Sequence, residues 1–329
     1  MPPQYQAAIT GLGAYVPEKV LTNFDLEKMV DTTDEWIRTR TGIRERRIAA
    51  KGQSASDLGV RAGMEAIQDA GLTPKDIDLI IVATVTPDMA FPSTACYIQT
   101  KIGADCGAFD MAAACSGFPY ALAVGESFIR SGRYQHILVI GSEVLSGFID
   151  WTDRSTCVLF GDGAGAAVVS RSNHESHGII ATHLGSDGSQ ADLLQIPAGG
   201  SMNPPSEETI RNRMHFLKMQ GSEVFKIAVR TMEYAVKEVL KAGHLQLSDI
   251  DCLIPHQANM RILQAVTERL ELSPEKVFIN VERYGNMSSA STIVALYEAV
   301  KTGKVKKGSN IILVAFGGGL TWASTLIHW

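Results

Sequence analysis

The stretch KDIDLIIVATV (75–85) opens on acidic turn residues and runs straight into an apolar segment rich in β-branched side chains. It has no polar alternation, which is the pattern of a strand buried on both faces. HILVIGSEVL (136–145) reads the same way. Between them, FPYALAVGESFIRSG (118–132) places apolar residues at helical spacing and stops at Ser131-Gly132, a C-terminal helix signal. Strand, helix, strand in that order means α/β architecture.

The chain then repeats itself. SDIDCLIPHQA (248–258) echoes the opening stretch, with Asp249 lying 173 residues after Asp76. KVFINVERYGN (276–286) echoes GAFDMAAACSG (107–117), with Phe278 lying 169 residues after Phe109. NIILVAFGGG (310–319) echoes HILVIGSE, with Ile312 lying 175 residues after Ile137. Three echoes in one order at nearly one offset predict two similar βαβ halves, residues 1–172 and 173–329. The segment holding Cys115 then corresponds to the segment holding Asn286, and the two approach one another across a pseudo-twofold axis. PAGGSMNPPSEETIRNR (197–213), rich in Pro, Gly, Ser and Asn, reads as a surface excursion within the second half.

At 329 residues, 45% apolar and 20% charged, the chain has the balance of a globular protein with a sizeable core. A net charge of −5 argues against a general nucleic-acid binder but leaves room for a local basic pocket. MPPQYQAAITGLGAY (1–15) lacks the basic and apolar regions of a signal peptide, and no apolar run is long enough to span a bilayer. Cytoplasmic residence is the expectation, with the five cysteines as free thiols. Neither cysteines nor histidines show zinc-ligand spacing.

Several constellations have chemical potential. Pro119 fits only the first turn of a helix, so the helix begins near Ser116 and Cys115 lies at its N-terminal edge. There the unpaired amides favour thiolate, and Cys115 reads as a nucleophile; equally, free cysteine is a common core residue. His256 follows an apolar run at a strand's end, where polar side chains point into sites, although a structural histidine fits too. Gly285-Asn286 reads as a turn, with the serines after it capping the next helix. Gly317, Gly318 and Gly319 would let backbone amides approach a developing negative charge, or form a flexible loop. Arg38, Arg40, Arg44, Arg46 and Arg47 crowd around Trp36, either as a phosphate- and base-binding pocket or as a solvated charged face. GDGAGA (161–166) matches a dinucleotide fingerprint, but it leads into AVVS, a strand where that fingerprint needs a helix.

Together these motifs resemble the β-ketoacyl-acyl carrier protein synthase III family, thiolase-fold enzymes that start type II fatty-acid synthesis. The resemblance spans essentially the whole chain: TDEWIRTRTGI (33–43), AFPSTAC (90–96), AAACSGF (112–118), FGDGAGAAV (160–168), GSEVFK (221–226), PHQAN (255–259) followed by RI, YGNMSSAS (284–291) and AFGGGLTWAS (315–324). It implies a layered αβαβα fold and a homodimer. It also implies a decarboxylative condensation of a short acyl-CoA, acetyl-CoA by expectation, with malonyl-acyl carrier protein. Cys115 matches the acylated nucleophile, His256 and Asn286 its two partners, and Gly318 with the amide of Cys115 the oxyanion hole. Trp36, Arg40, Arg154 and Arg261 match coenzyme A contacts, with Asn259 near the pantetheine. Phe91 and Phe316 match acyl-pocket residues, Phe91 reaching into the partner subunit. Lys226 and Arg261 match the docking face for the carrier protein. No metal or redox cofactor is implied, the coenzyme A thioester being a substrate. Residues 197–215 look longer than the family pattern, near the expected pocket. A cysteine hydrolase with the same Cys-His-Asn order, or a silent acyl-CoA-binding paralogue, are the competing classes.

Overall fold

The structure is a computed structural model that describes residues 5–172 and 177–329. Its first sheet contains β1 (Gln6–Tyr15), β2 (Leu79–Ala83), β3 (Gly107–Met111), β4 (His136–Glu143) and β5 (Gly163–Ser172), in the spatial order β1-β5-β4-β2-β3. The second contains β6 (Gly178–Ser186), β7 (Cys252–Pro255), β8 (Asn310–Gly317) and β9 (Thr321–His328), in the order β6-β9-β8-β7. Directions repeat as well. β5 is antiparallel to both neighbours, as is β9, while β2 runs parallel to β4 and β7 parallel to β8. The expected junction after Ser172 runs into residues 173–176, outside the described residues.

One echo departs from the plan. β3 pairs along its whole length with β2, but residues 276–280 keep only a single parallel bridge, Leu253 to Val277. Gln257 is the reason. Its carboxamide accepts the backbone N–H groups of Asn280 and Val281 (2.9 and 3.2 Å) and donates to the carbonyl of Phe278 (3.2 Å). A side chain thus takes backbone groups that a fifth strand would have used.

Among the described residues seven helices have eight residues or more: α1 (Asp34–Thr41), α2 (Ala55–Asp69), α3 (Thr94–Ile102), α4 (Gly117–Arg130), α5 (Gly221–Ala242), α6 (Met260–Arg269) and α7 (Ser289–Lys301). α2 and α3 cover the outer face of the first sheet, α5 and α6 that of the second, and α4 and α7 lie between the sheets. The result is the αβαβα sandwich. Ile80 and Val82 face α2 and α3, while Leu79, Ile81 and Ala83 face the central helices. With both faces buried, β2 has no position where a polar side chain would be solvated.

The central layer is thin because glycines make it so. A Cβ on Gly165 would stand 2.5 Å from Cγ2 of Ile293, and one on Gly141 would stand 2.6 Å from the carbonyl oxygen of Ser289. GDGAGA therefore runs into strand from Gly163, as its continuation indicated, and Gly165 admits α7 rather than a nucleotide.

The 197–213 excursion is closed at its base by a two-residue ladder, Leu194–Gln195 against Lys218–Met219. It carries a short capped helix, Glu207–Arg211, and Arg213 forks onto the carboxylate of Asp150. That guanidinium holds Asp150 well below the usual carboxylate range.

Gly141→Ala should push α7 off the first sheet and lower stability by about 1–3 kcal/mol, the usual cost of overpacking a filled core. Urea unfolding of the two proteins would measure it, and an unchanged midpoint would contradict the close approach.

Candidate active site

Cys115 sits in a single 3-10 turn, Ala114–Ser116, between β3 and α4. Ala114 has φ 46°, a left-handed conformation that strains any residue with a side chain. Thr321 holds the turn from both sides: its hydroxyl donates to the carbonyl of Ala113 (2.9 Å), and its own carbonyl accepts from the Ser116 hydroxyl (3.0 Å). β9 thereby fixes a kinked strand-to-helix corner with the sulfur at its tip.

The thiol itself departs from expectation. Burial pushes Cys115 up to about 12, outweighing a hydrogen bond with Ser288, and the nearby Glu143 carboxyl adds to the rise. The helix N-terminus does not leave a thiolate here. Desolvation wins because Cys115 is buried.

His256 follows β7 directly, its backbone N–H still bonded to the carbonyl of Val314 (2.7 Å) on β8. Nδ1 lies 2.5 Å from the hydroxyl of Ser291. Complete burial lowers its pKa from 6.5 to about 3, so the imidazole is neutral. Gln257 beside it is fully buried and tied to Pro255, Phe278, Asn280 and Val281, which anchors the loop that presents the histidine.

Asn286 is bridged in parallel to Phe160, with its N–H on Leu159 and its carbonyl on Gly161 (2.8 and 3.0 Å). Gly285-Asn286, expected as a tight turn, is a segment bridged to 159–161. The Asn286 carboxamide oxygen accepts the N–H of Ser288 (2.8 Å), which leaves Nδ2 as its remaining donor group. The serines do not cap α7 as expected. Ser288 occupies the N-cap position at φ 46° without a side-chain cap bond. Ser289 donates to the carboxyl of Glu143 (2.9 Å) or to the Ala83 carbonyl (2.8 Å).

Glu143 carried no sequence signal beyond its place at a strand end. It is fully buried and surrounded by donors: Thr86 (2.7 Å), Ser289, and the N–H of Val85 (3.2 Å). No cation faces it in these contacts, and burial raises its pKa.

Gly317 lies against the peptide of Cys115, so that a Cβ there would be 2.5 Å from its backbone N. Gly318 follows, with Ala114 and Leu194 beside it. Gly317 is packed against Cys115, and Gly318 and Gly319 make the tight turn between β8 and β9 and not an open loop.

A cavity of about 590 Å³ joins these groups. Cys115, His256, Asn286 and Phe316 lie along it, and so do Trp36, Arg40, Lys226, Asn259 and Arg261. The entrance is built by two helices. α1 is capped by Thr33 and ends at Gly42 (φ 75°), where a Cβ would come within 2.5 Å of the Met260 Cβ, so α1 docks on α6. Arg40 and Arg154 place guanidinium carbons 5.7 and 4.8 Å from the Trp36 ring centre, and Arg261 lies 5.6 Å from that of Phe225. Asn259 caps α6, its side chain accepting from Ile262. Lys226 pairs with Glu223 (2.8 Å).

Some expected residues lie apart. Of the five crowded arginines only Arg40 borders the cavity. Arg38 turns to Asp34 and Arg44 to Glu282, Arg47 lies by Glu45, and Arg46 is buried against Leu21, Asn23 and Val158. Phe91 is 85% exposed in this chain and does not line the cavity. No residue of 197–215 borders it; only Leu194 and Met219, at the base of the excursion, do. Sequence reading missed the apolar wall of Val224, Phe225, Ala228 and Met232 on α5, although their helical spacing marks one face.

Fold and cavity define a condensing acyltransferase of the thiolase fold. Two family profiles match: 3-oxoacyl-[acyl-carrier-protein (ACP)] synthase III over residues 109–188, and its C-terminal counterpart over 240–329. The chain is 56% identical over 324 residues to a β-ketoacyl-[acyl-carrier-protein] synthase III of Caldanaerobacter subterraneus, covering 98% of each. It is 52% identical over 325 residues to one from Clostridioides difficile, again covering 98% of each. A crystal structure of the Aquifex aeolicus enzyme superposes with a TM-score of 0.91 at 49% identity, covering 98% of this chain and 100% of that one. The chain belongs to the β-ketoacyl-acyl carrier protein synthase III family.

Two outcomes follow from the burial. Alkylation of Cys115 by iodoacetamide should be slow near neutrality and rise steadily with pH toward about 12, as the thiolate forms; peptide mass spectrometry would follow it, and a flat profile would mean a preformed thiolate. His256 binds a proton below 6.5 when unfolded but only near 3 when folded, so stability is present above 6.5 and is lost as pH falls toward 3. The slope from this one group is at most about 1.4 kcal/mol per pH unit. Denaturation curves of His256→Asn should show that part of the slope removed.

Proposed function

We propose that Cys115 carries the acyl group in a decarboxylative Claisen condensation, with acetyl-CoA as the acyl donor and malonyl-acyl carrier protein as the extender. The sulfur of Cys115 attacks the thioester carbonyl, the bond to coenzyme A breaks, and the thiol proton leaves with coenzyme A as its free thiol. Malonyl-acyl carrier protein then loses carbon dioxide, and the electron pair moves onto its thioester oxygen as an enolate. Nε2–H of His256 and Nδ2–H of Asn286 donate to that oxygen, stabilising charge that exists only along the reaction. The enolate carbon attacks the acyl-cysteine, whose oxyanion is received by the amides of Cys115 and Gly318. Collapse releases the 3-oxoacyl-acyl carrier protein and a Cys115 thiolate, which regains a proton.

The observation that carries this reading is the meeting of Cys115, His256 and Asn286, from three distant chain segments, on one cavity. Its surroundings suit it: two neutral donors, and cationic groups at the mouth. We assign Trp36, Arg40, Arg154 and Arg261 to coenzyme A, with the Trp36 face for the base and the guanidiniums for phosphate. Asn259 is assigned to the pantetheine, Phe316 to the acyl group, and Lys226 with Arg261 to the acidic carrier protein. Phe91, exposed here, reaches the acyl pocket of a second copy in a homodimer. Residues 1–172 and 173–329 are the two halves of the duplication. The enzyme works in the cytoplasm; among the described residues no helix is long and apolar enough to cross a membrane.

Incubation with acetyl-CoA should add one acetyl mass to Cys115, and Cys115→Ala should abolish it. His256→Ala and Asn286→Ala should still acylate, while carbon dioxide release from malonyl-acyl carrier protein falls by about 10²–10³-fold, the loss expected for one oxyanion donor. Acylation of a different residue would overturn the assignment.

A further inference from the structure

Ser291 lies in the first turn of α7 and is fully buried. Its hydroxyl oxygen has three polar neighbours: Nδ1 of His256 at 2.5 Å, the carbonyl oxygen of Ser288 at 3.0 Å and the N–H of Gln257 at 3.4 Å. Only one hydroxyl proton is available, and where it goes decides what His256 offers to the cavity. If the hydroxyl donates to Nδ1, the ring proton sits on Nε2 and the cavity meets a donor. If the hydroxyl donates to Ser288, Nδ1 must carry the ring proton, and the cavity meets a lone pair instead.

Three observations favour the first arrangement. The Ser288 carbonyl already receives the backbone N–H of Ser291 (3.2 Å) and does not need the hydroxyl. The N–H of Gln257 approaches the oxygen as a donor, so the hydroxyl serves as acceptor there and its proton is free to point at the nearest atom, Nδ1. Among the described residues the imidazole ring makes no other hydrogen bond, so a fully enclosed Nδ1 depends on this one partner. The loss of hydration keeps the ring neutral, with a single proton to place.

We propose that Ser291 is a positioning residue: its hydroxyl donates to Nδ1 of His256 and keeps the ring proton on Nε2, facing the cavity. The consequence for catalysis rests on the reading of His256 as a donor to the enolate. The step from acyl-CoA to acyl-cysteine does not use that donor and is the internal control.

The test uses the full-length protein labelled with ¹⁵N-histidine. In the wild type the His256 signals should be those of the neutral Nε2–H tautomer, and in Ser291→Ala that tautomer should be lost or mixed. In the same variant, acetylation of Cys115 should proceed, showing an intact fold, while kcat for condensation falls by between about 10-fold and 100-fold, less than removal of the donor itself. KM for malonyl-acyl carrier protein should stay within about twofold. Ser291→Thr, which keeps the hydroxyl, should restore both the tautomer and the rate. A wild-type Nδ1–H tautomer overturns the proposal. So does a Ser291→Ala protein with unchanged signals, or one that loses acetylation as much as condensation. Unimpaired condensation in His256→Ala would instead sink the role given to His256, while the tautomer result would stand on its own.

Discussion

Where α4 and α7 begin, Gly117 faces Ala83 and Ser289 so closely that a Cβ would lie 3.0 and 3.3 Å from theirs. The two central helices therefore start at one level, each behind a residue held at φ 46°, Ala114 in one half and Ser288 in the other. Left-handed backbone at a residue with a side chain survives only where surrounding bonds over-determine it. Thr321 supplies that constraint for the first turn, and Asn286 with the Leu159–Gly161 segment supplies it for the second. Because both turns belong to the same packed layer, fixing one fixes the distance to the other. Cys115 and Asn286 meet for that reason, and β7 adds His256 at the same edge.

The same packing removes water from the site, with opposite consequences for its members. Charge is disfavoured throughout, so the thiol stays protonated, the imidazole stays neutral, and the carboxyl of Glu143 is raised. A dry site strengthens each hydrogen bond to a charge that develops later and costs no reorganisation when it does. In the proposed reaction charge develops on the substrate, not on the resting protein. Ser291 belongs to this arrangement, because a neutral ring has only one proton and its placement must be set by something equally buried.

Much of this was legible in the chain. β2 and β4 have no polar alternation because α2, α3 and α4 cover them, and the echo of 75–85 at 248–258 reports a second sheet with the same strand directions. Pro119 located the head of α4 through backbone chemistry alone, which needs no tertiary context. The arginine cluster was misleading for the opposite reason. Arg38, Arg44, Arg46 and Arg47 are near Trp36 in sequence, but a short helix followed by a short strand sends their side chains in different directions. Gln257 and Glu143 were invisible as well, since their work is to meet backbone or side-chain donors brought by remote segments.

The sequence by itself therefore determined the α/β class, the duplication and the head of α4, because hydrophobic period and proline stereochemistry are local. Only the tertiary structure decided that Cys115, His256 and Asn286 share one cavity, and that Arg40 alone of the five clustered arginines borders it. It also decided the ionisation of the site. Position at a helix terminus favours a thiolate, but the enclosure of Cys115 outweighs it, and desolvation is a property of everything packed around a group, which no single stretch of sequence contains.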